Sequence, residues 1–171
     1  MTAAPTEATL SHTINISALH DHDVEILVEA NEHQRAAIAR RLAIPALNLL
    51  RGAFTVHPVR GGAEIRLRLD ADAERRCVAS LEPMTEKIAE EIIMQFDHNY
   101  TEADEADEGE EWREPLEGDE IDLGELLVQH LSLALDPYPR RAGAEPLVVA
   151  KDTAAIATPF AALKSIKMTD S

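Results

Sequence analysis

The sequence of 171 residues predicts a single α+β domain, built on an antiparallel sheet of about five strands that could close in a barrel-like form. Three observations lead to this fold class. Apolar and polar residues alternate over 63–74, as in a strand that is buried on one face. A capped run of helix formers follows the second predicted strand, and a leucine-rich run at helical spacing lies near the end of the domain. We expect that last helix to pack on the sheet.

The first elements are short. Residues 1–9 are small, polar and contain proline, so we expect a disordered N-terminus. Apolar residues alternate over 10–16 and again over 24–30, and each segment is predicted as a strand. Asn31 can cap a helix of residues 32–43, with the side chain of Gln34 reaching back to it, before Pro45 stops the run.

The centre of the chain reads as a hairpin. Residues 47–59 and 63–74 are predicted as strands that are joined at Gly61-Gly62. Residues 84–96 fit both a helix and a strand. Their apolar residues recur every four residues, as on one side of a helix, and many of them also fall at even-numbered positions, as on one face of a strand. Helix propensity favours the first reading slightly, whereas the two preceding strands favour a third strand, which is our prediction.

The end of the domain begins with an acidic segment. Residues 98–120 are predicted as an acidic loop, which cannot bury itself. Asp122 caps the second helix, whose apolar stripe contains Leu123, Leu127 and Leu131. The domain is expected to end near residue 140, and 141–171 to form an extended tail with a helical turn near 160–167.

Charge and composition restrict the kinds of partner and the cellular compartment that we expect for this protein. The net charge is −16, but residues 97–125 hold 14 acidic side chains against Arg113 alone, so the rest of the chain is close to neutral and an RNA partner stays possible. The single cysteine, Cys77, cannot form an internal disulfide and fits a reducing compartment. The chain shows neither a secretory signal nor an apolar stretch of roughly 20 residues, so we expect a cytoplasmic protein without membrane contact.

Four stretches carry a resemblance to a known family: residues 76–83, 114–118, 121–140 and 159–164. In their order and spacing they resemble the YceD-like large ribosomal RNA subunit accumulation family of bacteria and plastids. The matching motif positions are Cys77, Leu81, Pro83, Asp122, Leu123, Asp136, Pro137, Tyr138, Pro139, Pro159 and Phe160. Many members look like Cys-x-x-Cys-Leu at the strand end, whereas this chain has Ser80 at the second cysteine position, which puts a metal or redox role in doubt.

The resemblance implies a function without catalysis. It implies a cytoplasmic role in the accumulation or processing of 23S ribosomal RNA and in large-subunit biogenesis, with 23S ribosomal RNA, its precursor or large-subunit ribosomal proteins as partners. It implies no cofactor, and no small-molecule substrate is evident.

Two sets of residues are candidates for partner contact. Arg66 and Arg68 lie on the polar face of the predicted strand, with Arg75 and Arg76 at its end, and could contact phosphates. The same face also carries acidic residues, so a merely solvated face is the alternative. In the acidic loop, Glu110, Glu111, Trp112 and Glu114 could bind a basic protein. That contact could involve a ribosomal protein or a partner unrelated to ribosomes, and a purely solubilising loop is the plainer interpretation.

Reactive sites are weakly supported. His20 and His22 could bind a metal, but a solvated polar turn is the favoured interpretation, because such turns are common. Cys77 lacks the surroundings of a known cysteine nucleophile, and Gly61-Gly62 is a hairpin turn rather than a phosphate loop. We therefore expect neither a catalytic nor a metal site. An uncharacterised hydrolase is the third hypothesis, after a ribosome-biogenesis factor and an unrelated interaction module.

Overall fold

The computed structural model describes residues 9–19, 22–100 and 112–144. Its elements are β1 (Thr13–Asn15), β2 (Val24–Glu29), α1 (Glu32–Arg41), β3 (Ala46–Val59), β4 (Gly62–Arg76), β5 (Pro83–Asp97), β6 (Trp112–Pro115), β7 (Glu120–Asp122) and α2 (Leu123–Ala134). A single 3-10 turn, Ile16–Ala18, follows β1. The tail expected at 141–171 is described only to residue 144, and its helical turn near 160–167 lies outside the described residues.

Five strands form the main sheet, in the order β2-β3-β4-β5-β6, and β1 pairs with β7 in a separate ribbon. The first four strands of the sheet are antiparallel, but β6 runs parallel to β5. The α+β class is thus confirmed, whereas an entirely antiparallel sheet is wrong. A parallel neighbour needs a connection of about a dozen residues or more, and residues 98–111 supply that length.

The sheet does not close into a barrel among the described residues. Closure would require hydrogen bonds between the edge strands β2 and β6, and neither is paired on its outer side. The short strands β1 and β7 pair with each other instead of bridging those edges. The barrel-like form is therefore wrong for this part of the chain.

The strand prediction for residues 84–96 is confirmed by β5, which pairs with β4 along its whole length. Its buried residues Ile88, Met94 and Phe96 have the parity that faces the core. Two other predictions need correction. The first strand is only Thr13–Asn15, and the segment predicted as an acidic loop contains β6 and the start of β7. Both short strands depend on partners distant in sequence, which no local pattern reveals.

Both predicted helix starts have the predicted caps. At α1, Asn31 Oδ1 accepts a hydrogen bond from Gln34 N at 3.0 Å, while Gln34 Oε1 accepts one from Asn31 N at 2.9 Å. At α2, Asp122 Oδ1 accepts hydrogen bonds from Gly124 N at 2.9 Å and Glu125 N at 3.2 Å. These bonds satisfy amides that a helix start otherwise leaves without partners.

The core lies between the sheet and α2. Leu123, Leu127 and Leu131 repeat every four residues on one side of the helix, and each is fully buried. The helix meets the sheet at Gly52, where Leu127 Cδ1 lies only 2.8 Å from the position that a Cβ would take. A glycine is therefore required at this point of β3 for the helix to approach. No helix within the described residues combines the length and apolarity needed to cross a membrane.

Candidate functional site

The polar face of the sheet carries Arg66 and Arg68 on β4, as the alternation predicts. Both guanidinium groups lie 3.9 Å from the carboxylate of Glu91 on β5, and Arg66 is also 3.9 Å from Glu64. Because acids are interleaved with these arginines, the face presents mixed charge rather than a positive field. RNA binding through Arg66 and Arg68 stays a prediction, and the neighbouring carboxylates weaken it.

Arg75 lies on the opposite side of the sheet from Arg66 and Arg68. It has the odd parity of the buried residues on β4, and its side chain is only 13% exposed. Its guanidinium donates to Glu86 Oε2 at 2.8 Å and to the carbonyl oxygen of Asp136 at 2.8 Å. The amide of Asp136 in turn donates to Glu86 Oε1 at 2.8 Å. Arg75 therefore holds the segment after α2 on the sheet.

Cys77 connects two of the motif stretches. Its side chain is fully buried, and its sulfur accepts hydrogen bonds from Ser80 N at 3.4 Å and Arg141 N at 3.5 Å. The hydrogen bond with the Ser80 side chain, followed by those from the Arg141 and Ser80 amides, lowers the pKa of Cys77 to about 6. A sulfur without exposed surface cannot reach a substrate in this conformation. The position therefore organises the loop between β4 and β5.

Residues 136–139 pack against that loop. Val78 N donates to the carbonyl oxygen of Pro139 at 2.9 Å, and Pro139 is buried. Tyr138 N donates to Asp136 Oδ1 at 2.8 Å, which fixes the backbone between the two prolines. Tyr138 is nevertheless 72% exposed. Packing accounts for Asp136 and Pro139, but not for the tyrosine ring.

The remaining motif positions have mixed roles. Asp122 caps α2 and also accepts a hydrogen bond from His12 N at 2.9 Å, and Leu123 belongs to the core. Leu81 is 58% exposed and has a φ of 60°, within the left-handed region. Pro83 begins β5 opposite Arg76. Pro159 and Phe160 lie outside the described residues.

An acidic depression of ≈ 360 Å³ lies between β6 and α2. Its acidic lining residues are Glu114, Glu117, Glu120, Asp122 and Glu125. Glu114, a predicted partner contact, is half-buried there. Trp112 begins β6, whereas Glu110 and Glu111 lie outside the described residues.

A basic surface, of which the sequence analysis named only Arg75 and Arg76 as candidate contacts, flanks the turn between α1 and β3. Two depressions there share Ile44 and Pro45 in their linings, and their arginines are Arg35, Arg40, Arg75 and Arg76. We call this surface the basic groove. The helical spacing that places Arg35 and Arg40 away from the buried Ile38 was a partial signal. Their proximity to the end of β4 depends on the tertiary fold.

The described histidines do not form a metal-ligand cluster. His20 lies outside the described residues, and Asp23 contacts Nδ1 of His57, which raises the pKa of that imidazole. Among the residues that the structure describes, no group of three or more His, Cys, Asp or Glu side chains could hold a metal ion.

Comparison with known proteins yields one finding. A family model described as "Large ribosomal RNA subunit accumulation protein YceD" matches residues 65–167, which is more than half of the chain and includes the loops around Cys77 and Tyr138. No curated protein and no solved structure matches the chain.

Proposed function

The chain belongs to the large ribosomal RNA subunit accumulation protein YceD family, and on that basis we propose that it supports accumulation of 23S ribosomal RNA without catalysing a reaction. It does so by binding ribosomal RNA, its precursor or large-subunit ribosomal proteins in the cytoplasm. The family match over 65–167 carries this proposal, because that range holds the whole motif-bearing part of the described fold.

The distribution of charge supports a binding role. The acidic depression carries five carboxylates, of which Glu125 is paired with Arg41, while the basic groove lines its walls with four arginines. Surfaces of opposite sign suit a factor that meets both RNA and basic ribosomal proteins, because complementary charge speeds encounter and fixes orientation.

The use of polar side chains near the motif supports a role without catalysis. Arg75, Glu86 and Asp136 satisfy one another, and the sulfur of Cys77 accepts amides from both motif loops while it is fully buried. A nucleophile or a general base needs access to the reacting atoms. The hydrogen bonds of these groups stabilise the fold.

The test is the ratio of 23S to 16S ribosomal RNA in cells from which the gene has been deleted. We expect the ratio to fall, and the wild-type chain to restore it. Cys77→Ser should restore it as well, because a hydroxyl can accept the same amides but is a far weaker nucleophile. An unchanged ratio after deletion would contradict the proposal. Failure of a folded Cys77→Ser chain to restore the ratio would contradict the absence of thiol chemistry.

A further inference from the structure

The basic groove consists of two depressions on either side of the turn at Ile44 and Pro45. The first, of ≈ 460 Å³, lies between α1 and the start of β3. The second, of ≈ 560 Å³, lies between that turn, the end of β4 and the segment that contains Pro137 and Pro139. The two share Ile44 and Pro45 in their linings, so they are adjacent on the surface.

The charge of this groove is opposite to that of the chain. Its linings contain four arginines and one acid, Glu32, for a local charge of +3 (4 − 1), whereas the whole chain carries −16. Two of the arginines are already engaged, since Arg75 is paired with Glu86 and Arg35 donates to the carbonyl oxygen of Ala30 at 2.7 Å.

Arg40 and Arg76 are the arginines that remain available. Both are exposed, and neither side chain has an ion-pair or hydrogen-bond partner among the described residues. Arg40 lies on α1 and Arg76 at the end of β4, so two separate elements of the fold contribute a cation to the same surface. Planar guanidinium groups are well suited to phosphate oxygens, because their donors form a fixed fork.

Tyr138 supplies a different chemistry next to the second depression. It lies in the chain between Pro137 and Pro139, which line that depression, although Tyr138 is not itself a lining residue, and it is 72% exposed while its backbone is held by Asp136. An exposed ring on a fixed backbone is a stacking platform that loses little freedom when a ligand arrives. Free cations beside such a ring form the combination that binds single-stranded nucleic acid.

We propose that the basic groove binds a single-stranded segment of RNA, with phosphates at Arg40 and Arg76 and one base stacked on Tyr138. This inference rests on the proposed function and names RNA as the direct partner. Duplex RNA suits the site less well, because its bases are stacked on one another and their faces are not available to Tyr138. An acidic peptide would satisfy the arginines but would leave the tyrosine without a role.

The experiment measures fluorescence anisotropy of a labelled, unstructured RNA oligonucleotide titrated with the full chain. The test variant is Arg40→Gln/Arg76→Gln, and the matched control is Arg51→Gln/Arg60→Gln, which removes the same number of exposed arginines at positions outside the groove and outside the candidate RNA contacts. We expect the test variant to bind at least about tenfold more weakly, and its slope of log affinity against log salt to fall by about 1.4, for two lost phosphate contacts. The control should bind like the wild type.

Tyr138→Leu tests the stacking contact separately. We expect a loss of about 5- to 150-fold with an unchanged salt slope, because stacking involves no counterion release. All the substituted residues are exposed, so thermal unfolding should show that each variant remains folded.

Three results would overturn the inference: equal losses in the test and control variants, no loss in the test variant, or tighter binding of duplex than of single-stranded RNA. A wild-type chain that binds large-subunit ribosomal proteins but no RNA would also overturn it. The proposed function would survive that last result if deletion of the gene still lowered the ratio of 23S to 16S ribosomal RNA.

Discussion

Leu127 is the residue whose truncation reports most directly on how α2 closes the core. It is fully buried, and its Cδ1 lies at the Gly52 position of β3. Leu127→Ala removes three methyl or methylene-sized groups and leaves a cavity, so we expect the free energy of unfolding to fall by about 3–5 kcal/mol. Leu133→Ala is the matched control on the same helix, because Leu133 is 67% exposed and its loss should change stability by less than about 0.5 kcal/mol.

A second substitution tests the contact itself. A Cβ at Gly52 would lie 2.8 Å from Leu127 Cδ1 and 2.9 Å from both Leu67 Cδ1 and Phe54 Cε2. Gly52→Ala alone should therefore overpack the core and cost about 1–3 kcal/mol. In the double variant the new methyl group occupies space that Leu127→Ala vacates. We expect the double variant to lose about 1 kcal/mol less than the sum of the single losses.

The assay is urea unfolding of the full chain, followed by circular dichroism. The wild type, the two single variants and the double variant form a double-mutant cycle, so the coupling energy isolates the contact between α2 and β3. Strictly additive losses, or a Leu127→Ala loss as small as that of Leu133→Ala, would refute the packing of α2 against the sheet at Gly52.

Three further predictions concern other parts of the fold. Arg75→Met should lower the free energy of unfolding by about 1.5–3 kcal/mol, because it leaves Glu86 and the Asp136 carbonyl oxygen without a charged donor. Arg66→Met is the control, and an equally small loss of stability in both variants would contradict the prediction. Ala43→Gly should raise stability by about 0.5–1 kcal/mol in the same assay, since Ala43 has a φ of 52° that glycine adopts without strain. Burial lowers the pKa of His130, so the unfolded chain binds a proton at this position before the folded chain does as the pH falls below about 6.5, and the free energy of unfolding should decrease there. Unfolding measured from pH 7.5 to 5 should show a smaller decrease for His130→Gln than for the wild type. Identical pH profiles of the two chains would contradict this prediction.

Local patterns predicted the elements that local interactions determine. The alternation over 63–74 predicted β4 because a half-buried strand needs that period, and Asn31 and Asp122 predicted the helix starts because a cap acts within three residues. The same alternation could have placed Arg75 correctly. It shares the odd parity of Ile65 and Leu67, so its side chain belongs on the core side of β4.

Features that join distant parts of the chain escaped prediction. The pairing of β6 with β5 depends on how the chain returns after residue 97, and nothing in the sequence of Trp112–Pro115 specifies a parallel neighbour. The basic groove has the same origin. Arg40 and Arg76 belong to a helix and to a strand end that only the folded sheet brings to either side of Ile44 and Pro45.

The most direct test of the RNA-binding account is ultraviolet cross-linking of the tagged chain to RNA in growing cells, with mass spectrometry of the nucleotide-bearing peptides. We expect the cross-linked RNA to be 23S ribosomal RNA or its precursor, and the modified peptides to contain Tyr138 or residues beside Arg40 and Arg76. Cross-links confined to the part of β4 around Arg66 and Arg68, away from Arg76, or an absence of 23S sequences from the recovered RNA, would contradict it.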